Sequence, residues 1–314
     1  MRLNQFLVVI LLAVVGSMAA CNTPSQPQHG AHGEVLSIPH KLGVTTISSQ
    51  PSRIVVLDIG ALETLHELGV TPIAIPKKFM PEYLNDLKKR EDIADVGSVI
   101  EPDFEAIHAQ KPDLILISAR QERFYKELSD IAPTVFIGTD NKNYIASFKS
   151  NTLLLADIVG KKDVAQQKLD SLDAKIRTAQ QFFDKDPNKG LFLIYNGGKF
   201  NAFGSGSRFG FIHDVLHIKP VMELKDESVH GQKVSNELIA EADPDYMFIV
   251  DRNAVVMDRK AVKTEIENPL IQQTKAFKNK KIFYLDPNVW FISGGGITSV
   301  NLMIEAIEGL IMQP

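Results

Sequence analysis

The sequence predicts an α/β protein with two Rossmann-like lobes joined by one long helix. Three observations favour this fold class. Short β-branched runs alternate with helical periodicity on both sides of residues 143–184, those residues show helical periodicity alone, and "KPDLILISAR" at 111–120 has a counterpart, "DPDYMFIVDR", at 243–252. Two similar halves with a helical spacer between them account for all three.

The first twenty residues have the features of a secretory signal peptide. Arg2 supplies an early positive charge, the apolar run at 6–15 is too short to span a membrane, and small residues precede Cys21. This ending resembles a bacterial lipobox, with Met18 in place of the usual leucine, and it implies cleavage before Cys21 and attachment of lipid to its sulfur. The alternative is an ordinary signal peptide with a buried thiol beyond it.

Residues 21–38 are predicted to be a flexible tether that begins with the lipidated cysteine. The stretch "NTPSQPQHGAHGEV" is polar and rich in Pro, Gly and Gln, so it cannot bury enough apolar surface to fold. Its histidines, His29 and His32, are interpreted as solvated linker residues. The protein is therefore expected to be exported and anchored to a bacterial cell membrane, at the periplasmic face or the outer cell surface.

Composition limits the classes of partner. The chain is 44% hydrophobic and 23% charged, with a formal net charge of −4 and a single cysteine. The mildly acidic balance argues against nucleic acid as a partner, and one cysteine excludes an internal disulfide. We expect a monomeric globular protein.

The N-terminal lobe is predicted at residues 39–150. In chain order it contains the strand "RIVVLDIG", the helix "ALETLHELGV" and the strand "PIAIP". The helix "PDFEAIHAQ" and the strand Leu114–Ile117 follow, and this strand is apolar on both faces, as expected of a central strand. "LSDIAPTVFIG" adds a helix end and a strand. Such alternation predicts a parallel sheet with crossover helices.

Residues 143–184 are predicted to be mostly one long helix that follows a shorter one. The linking helix is assigned to 151–186 and the C-terminal lobe to 187–314. In this lobe "GLFLIYN", "DPDYMFIV" and "KKIFYLDP" are predicted strands, whereas "FGFIHDVLHI", "VSNELIAEA" and "ITSVNLMIEAIEGLIM" are predicted helices. The alternation of strands and helices in the first lobe thus resumes after the linking helix.

The repeated stretch predicts where a ligand binds. Aligned without gaps, the two copies match Glu105 with Glu237, Ile107 with Ile239, Pro112 with Pro244, Asp113 with Asp245, and Arg120 with Arg252, each pair 132 residues apart. Ligands of open parallel sheets bind beyond the carboxyl ends of the strands, and each arginine follows such an end. The two lobes would therefore direct Arg120 and Arg252 into one cleft. The alternative is that Pro-Asp is simply a common sequence at turns that lead into a strand.

The repeated glutamates have two interpretations. Glu105 and Glu237 lie in the first turns of predicted helices, where a carboxylate favourably meets the helix dipole. Their duplication also suggests one acidic contact on each lobe, for a partner with matching basic sites.

Several segments together resemble a known family. The lipobox, the tether and the segments "PSRIVVLD", "GLFLIYNGGKFNAFGSGSRFG", "SVHGQKVSNELI", "DPDYMFIVDRN" and "IFYLDPNVWFISGGG" are similar to the ferric-siderophore-binding proteins of ABC importers, especially the catecholate and mixed binders of enterochelin, petrobactin and anguibactin. The resemblance implies a class III clamshell that delivers a ferric siderophore to a permease dimer with its ATPase. It also implies that Glu105 and Glu237 dock onto arginines of the permease. No intrinsic cofactor is implied, since Fe(III) is cargo.

The resemblance assigns three arginines, Arg120, Arg208 and Arg252, to the ligand. Independent chemistry agrees, because a ferric catecholate is polyanionic and the planar guanidinium offers both donors for catecholate oxygens and a face for the rings. Arg208 lies in "GSGSRFG", where small residues let the backbone approach a ligand.

One aromatic position departs from the pattern of these relatives. His230 matches a histidine that in relatives coordinates iron when the siderophore leaves sites free, but the partner tyrosine is here Phe291. A phenyl ring cannot bind iron. Either His230 is a single protein ligand to the metal, or the siderophore saturates the iron and Phe291 packs against it with Trp290. Packing in a core is the alternative for both aromatic residues.

Other functional classes are less compatible with the sequence. No Gly-x-Ser-x-Gly elbow or phosphate-binding loop is present, so an enzyme is not expected. A same-fold binding protein for haem or cobalamin is the main alternative, with His230 as the haem ligand. A bare-metal site is disfavoured because the histidines are scattered, although His213 and His217 lie four residues apart on a predicted helix. A structural surface lipoprotein would not need duplicated strand-end arginines.

Overall fold

The computed structural model describes residues 35–48, 50–224, 230–257, 261 and 263–312. The chain divides into two units, Met1–Gly33 and Glu34–Pro314, and the second contains every described residue. The predicted signal peptide and Cys21 therefore lie outside the described residues. Within the described ranges, no helix has both the length and the apolar character needed to cross a membrane.

The N-terminal lobe is built around a five-stranded parallel sheet of order β5-β4-β3-β6-β7. Its elements are β1 (Val35–His40), β2 (Gly43–Ser48), β3 (Ile54–Val56), α1 (Ile59–Glu67), β4 (Ala74–Ile75), α2 (Asn85–Lys89), β5 (Ala94–Asp95), α3 (Phe104–Ala109), β6 (Leu114–Ile117), α4 (Tyr125–Ser129) and β7 (Thr134–Phe136). Strand β6 has buried residues on both faces, which belong to two separate hydrophobic clusters. Its apolar run therefore marks a strand flanked on both sides, as predicted.

The prediction of a tether at 21–38 is wrong at its C-terminal end. Strands β1 and β2 form an antiparallel hairpin from Val35 onward. Ile38 and Ile47 are buried in the core of the N-terminal lobe, and the Thr45 hydroxyl donates to the Thr134 carbonyl oxygen at 2.7 Å. The hairpin lacks a strong sequence signal because few of its side chains face the core.

Two helices connect the lobes. Helix α5 (Tyr144–Ile158) packs on the N-terminal lobe, and the 22-residue helix α6 (Lys162–Phe183) contributes Leu169, Leu172 and Ile176 to the core of the C-terminal lobe. Gly160, at φ +67°, lies at the break between them. A shorter helix followed by a longer one is as predicted, but the linking helix assigned to 151–186 begins later, at Lys162.

The C-terminal lobe has a six-stranded mixed sheet of order β11-β9-β8-β12-β13, with β10 beside β8. Its elements are β8 (Lys189–Asn196), β9 (Lys199–Phe203), α7 (Phe211–Asp214), β10 (Lys219–Pro220), β11 (Gln232–Val234), α8 (Asn236–Ala242), β12 (Tyr246–Asp251), α9 (Asn253–Val256), α10 (Lys263–Ile266), α11 (Lys275–Lys278), β13 (Ile282–Leu285), a π-helix (Asn288–Ile292) and α12 (Ile297–Ile307). The sheet is mixed because β9 pairs antiparallel with both of its neighbours, β8 and β11. Gly197 and Gly198, at φ +57° and +85°, form the tight turn that pairs β8 with β9.

The helix predicted at "FGFIHDVLHI" is much shorter in the structure. Helix α7 ends at Asp214, and His217 has φ +66°. Nδ1 of the buried His213 lies 2.6 Å from the Ile218 carbonyl oxygen, whereas His217 Nδ1 lies 2.9 Å from an Asp184 carboxylate oxygen. The two histidines therefore do not share a helical face. In the described ranges, no group of three His, Cys, Asp or Glu side chains could hold a metal ion.

The sequence repeat corresponds to a repeated structural unit. Strand β6 pairs with β3 and β7 as β12 pairs with β8 and β13. Asp113 accepts from the Arg53 backbone N–H at 2.9 Å, and Asp245 accepts from the Lys189 backbone N–H at 2.9 Å. In both lobes, the aspartate of the Pro-Asp pair thus holds the start of the neighbouring strand. The duplicated Pro-Asp is a structural device, and the arginines seven residues later follow the same strands.

Candidate functional site

A cavity of about 1000 Å³ lies between the two lobes. The N-terminal lobe lines it with Lys41, Asp58, Arg120, Glu122 and Lys142, and the C-terminal lobe lines it with Arg208, Phe209, His230, Trp290 and Gly294. The volume is at the upper end of the range typical of small-molecule sites. Arg120, Asp58 and Glu122 come from segments just beyond strand ends or at a helix start, which is where ligands of parallel sheets bind.

Arginines from both lobes meet at one backbone oxygen. The Phe291 carbonyl oxygen accepts a hydrogen bond from Arg120 Nη2 at 2.8 Å and another from Arg208 Nη2 at 2.8 Å. Phe291 lies in the π-helix Asn288–Ile292, a rare geometry in which carbonyl groups depart from the regular helical ladder. The two guanidinium groups are thus held side by side by an acceptor of the protein itself.

The Phe291 ring packs against two guanidinium groups. The Cζ atoms of Arg208 and Arg252 lie 5.1 Å and 5.7 Å from the centre of its ring, within the range of cation–π attraction. Phe209 stacks against the same ring at 6.2 Å with an interplanar angle of 14°. The structure therefore brings the predicted residues Arg120, Arg208 and Arg252 together around Phe291.

Burial lowers the basicity of two arginines of this cluster, Arg120 and Arg208. Burial and the neighbouring charge of Arg120 together lower the pKa of Arg208 to about 9. Burial also lowers the pKa of Arg120, although the carboxylate of Asp58 opposes the change. Desolvated like charges are costly unless an anion balances them. The cluster consequently has the chemistry to hold an anion, because its cations are already assembled.

His230 and Trp290 occupy different parts of this region. His230 is exposed and lines the cavity, and its carbonyl oxygen accepts from Asn201 Nδ2 at 2.7 Å. Trp290 also lines the cavity, but its side chain is only 2% exposed and packs against Phe192 and Phe211. Trp290 is therefore a wall of the cavity that belongs largely to the core of the C-terminal lobe.

The glycines after Phe291 permit a close approach between the lobes. A Cβ atom on Gly296 would lie 2.4 Å from the Gly60 carbonyl oxygen, and one on Gly60 would lie 2.6 Å from the Gly295 carbonyl carbon. Helix α1 of the N-terminal lobe thus meets the start of α12 backbone to backbone. Gly294 and Gly295 form part of the cavity lining.

The repeated glutamates lie on the protein surface. Glu105 is exposed in the first turn of α3, and Glu237 is exposed in the first turn of α8. Asp103 and Ser235 cap these helices by accepting from the backbone N–H groups of Ala106 and Leu238. Hydrogen bonds from its own backbone N–H and from Ser235 lower the pKa of Glu237. Each carboxylate is therefore accessible at a helix start.

Sequence reasoning missed several residues of the cavity. Asp58 caps α1 and accepts from Ser118 Oγ at 2.6 Å, and its place after strand β3 is a signal that the strand-end rule could have used. Lys41 forms an ion pair with Glu122 at 2.8 Å. Lys41 lies in the turn of the unpredicted hairpin β1–β2, so no sequence signal pointed to it.

Comparisons with known proteins agree with this geometry. The family model described as "Periplasmic binding protein" matches residues 54–289. The chain is 37% identical over 308 residues to the petrobactin-binding protein YclQ of Bacillus subtilis, which covers 96% of this chain and 97% of YclQ. It is 36% identical over 310 residues to the ferric-anguibactin-binding protein FatB of Vibrio anguillarum, covering 95% of this chain and 96% of FatB.

A solved structure is also similar across both lobes. The siderophore-binding protein BauB, bound to a complex of two acinetobactin molecules and ferric iron, superposes with a TM-score of 0.83 at 36% identity. The match covers 90% of this chain and all of the BauB chain. The similarity therefore includes both sheets and the helices that connect them.

Proposed function

Because the chain belongs to the periplasmic binding protein family, we propose that it binds an anionic ferric siderophore between its lobes for delivery to an ABC importer. The observation that carries this proposal is the convergence of Arg120, Arg208 and Arg252 on Phe291. The relatives YclQ and FatB are named for ferric-siderophore cargo, petrobactin and anguibactin, which supports the same class of ligand here.

The arginine cluster favours catecholate-type ligands over haem or cobalamin. A ferric catecholate presents several anionic oxygens around one metal, together with flat rings that a guanidinium face can contact. Haem offers two propionates, which would leave part of a desolvated cationic cluster without a counter-charge. Cobalamin has no comparable anionic shell. In this proposal Fe(III) enters as cargo within the siderophore.

The proposal includes a conditional role for His230. Its exposed position on the cavity wall suits an imidazole that completes the iron coordination of a siderophore with open sites. Phe291 offers no oxygen, so at most this one protein ligand is proposed. Replacing His230 by alanine should weaken binding of a tetradentate ferric bis-catecholate, whereas a hexadentate tris-catecholate, which leaves no open site, should be bound as before. Equal loss for both complexes would instead indicate a contact to the organic part of the ligand.

We also propose the attachments that delivery requires. Lipid on Cys21 would hold the chain at a membrane, and Glu105 and Glu237 would contact basic residues of the permease, one from each lobe. Both glutamates are exposed at helix starts of topologically matching units, which is the arrangement that a two-fold symmetric partner could recognise.

A ligand panel tests the binding proposal. Trp290 is the only tryptophan and lines the cavity, so its fluorescence reports occupancy. The unit Glu34–Pro314 would be titrated with ferric tris- and bis-catecholates, a ferric hydroxamate and haem. We expect saturable quenching by a ferric catecholate that is weakened at least ten-fold in Arg208→Ala, about the cost of one lost charged contact. Quenching by haem alone would contradict the siderophore assignment.

A further inference from the structure

Glu63 is a buried carboxylate to which the proposed binding function gives no role. It lies in α1, and none of its surface is exposed. Oε1 accepts from the Tyr83 hydroxyl at 2.5 Å and from the Ser293 hydroxyl, and Oε2 accepts from the Ser299 backbone N–H at 2.7 Å. None of these three partners is a cation. A buried carboxylate retained under such conditions suggests a specific task.

Two of these partners lie in the segment just after Phe291, whose ring contacts two of the arginines. Ser293 is two residues after Phe291, and Ser299 is in the first turn of α12. The Tyr144 hydroxyl donates to the Gly294 carbonyl oxygen at 2.5 Å, so a second group of the N-terminal half holds the same segment. The close approach of Gly60 to Gly295 and Gly296 adds a steric constraint. The segment 288–296 is thus held by groups of α1 and α5 as well as by the arginines.

We propose that Glu63 is a positioning residue, which holds segment 288–296 so that the Phe291 carbonyl oxygen faces Arg120 and Arg208. Glu63 does not line the cavity and acts only through the segment. Its effect on siderophore affinity rests on the proposed function, whereas its effect on the segment does not.

The ionisation of Glu63 supplies a way to detect this role. Burial raises the pKa of Glu63 to about 7, although the hydrogen bonds from Ser293, Tyr83 and Ser299 oppose the rise. Bonds to a carboxylate are stronger than bonds to the neutral acid. The segment should therefore be held more firmly above neutral pH than below it.

Other titratable groups face the same region. Tyr83 and Tyr144 have pKa values raised by burial and by the charge of Glu63, so they stay protonated near neutral pH. Glu67, one turn further along α1, accepts hydrogen bonds from Lys168 of α6 and Thr298 of α12. Burial raises the pKa of Glu67, but these hydrogen bonds have the larger effect, so its pKa is lowered. His66 contacts Asp86 at 3.2 Å on the outer side of α1. Comparison of variants separates these groups from Glu63.

The first arm of the test uses the ligand-free protein. Trp290 fluorescence of the unit Glu34–Pro314 would be followed from about pH 5.5 to 8.5, the interval in which a carboxyl with a pKa near neutrality titrates. We expect a transition near pH 7 in the wild type and in Glu67→Gln, and none in Glu63→Gln. Ser293→Ala removes the hydrogen bond from Ser293 to Glu63 and should reduce the amplitude of this transition. The same transition in Glu63→Gln would overturn the proposal.

The second arm measures affinity for a ferric tris-catecholate over the same interval. The ratio of the Kd of Glu63→Gln to that of the wild type cancels the titration of the ligand itself. We expect this ratio to approach one in acid and to rise to about five above neutral pH, the value of roughly one hydrogen bond. A ratio that stays constant with pH would contradict a positioning role. If the wild type binds no ferric siderophore, the proposed function fails, and the fluorescence arm still decides the role of Glu63.

Discussion

At the scale of single residues, Phe291 organises the candidate site in two ways. Its carbonyl oxygen joins Arg120 of one lobe to Arg208 of the other, and its ring lies under Arg208 and Arg252. Flexible arginines lose side-chain entropy when a ligand orders them. Because the protein orders them beforehand, a ligand is spared much of that cost.

Replacing Phe291 by leucine should weaken ligand binding with little loss of stability. Leucine keeps an apolar side chain of similar bulk but removes the π face below two guanidinium groups, at about 0.5–1 kcal/mol each. We expect the Kd for a ferric catecholate, measured by calorimetry, to rise about 5- to 30-fold. Phe291→Tyr keeps the ring and is the control, measured with a hexadentate ferric tris-catecholate, which leaves no iron site open to a tyrosine oxygen. Wild-type affinity in the leucine variant would show that the Phe291 ring does not contribute to ligand binding.

Glu63 should make the folding stability dependent on pH. The folded-state pKa of about 7 lies above the ordinary value of 4.5, so between these values the unfolded chain releases a proton that the folded chain retains. The contribution of Glu63 is therefore complete below about pH 4.5 and is lost as pH rises towards 7, by up to about 3 kcal/mol. In denaturant unfolding at pH 5 and 8, the wild type should lose more stability than Glu63→Gln. Equal losses would show that Glu63 is ionised throughout.

Part of the candidate site was predictable at this scale. Arg120 and Arg252 are singled out because the repeat places each beyond a strand end, whereas Arg208 is assigned by the family resemblance, with its glycine- and serine-rich context as support. Glu63 had no sequence signal, since it lies in "ALETLHELG" among residues that are buried all round the helix. A single glutamate in such a helix cannot be told from a surface residue by periodicity.

At the scale of elements, the connection from β13 to α12 links the site to the lobe junction. It contains the π-helix Asn288–Ile292, the serine bonded to Glu63 and three consecutive glycines. Strands such as β6 and β12 were predicted correctly, because a parallel strand covered on both faces is a continuous apolar run. The hairpin strand β1 and the antiparallel strands β9 and β11 were not, since these strands bury fewer side chains. A π-helix has no sequence pattern.

A pair of glycine variants tests the close approach at this junction. In Gly296→Ala the new methyl group would lie 2.4 Å from the Gly60 carbonyl oxygen, so α1 and α12 must separate. We expect a loss of about 1–3 kcal/mol in the free energy of unfolding. Gly295→Ala is the matched control, because its nearest neighbour, Thr139 Cγ2, would be 3.7 Å away. Similar stabilities of the two variants would refute the steric argument.

At the scale of the whole molecule, each lobe contributes one copy of the same unit. Both units place an arginine in contact with Phe291 and expose a glutamate at a helix start. The two proposed functions, ligand binding and permease docking, would thus use different ends of the repeat. They should be separable by mutation.

Charge reversal at both glutamates should abolish delivery without changing binding. In cells that express the chain with its permease, uptake of radiolabelled iron from a ferric siderophore would be measured for Glu105→Lys combined with Glu237→Lys. We expect uptake to fall to the background level, because like charges would oppose basic residues of the permease. The variant Glu127→Lys with Asp170→Lys makes the same change in net charge at other exposed positions. Cells with this variant should take up iron as the wild type does. Normal uptake in the first variant would exclude these glutamates from docking.

The location of bound iron tests the central claim most directly. Crystals of the unit Glu34–Pro314 with a ferric catecholate would be measured at the iron absorption edge. The account predicts one anomalous peak in the cavity between the lobes, with anionic oxygens of the ligand facing Arg120, Arg208 and Arg252. A peak outside this cavity, or a ligand whose oxygens face away from all three arginines, would contradict it.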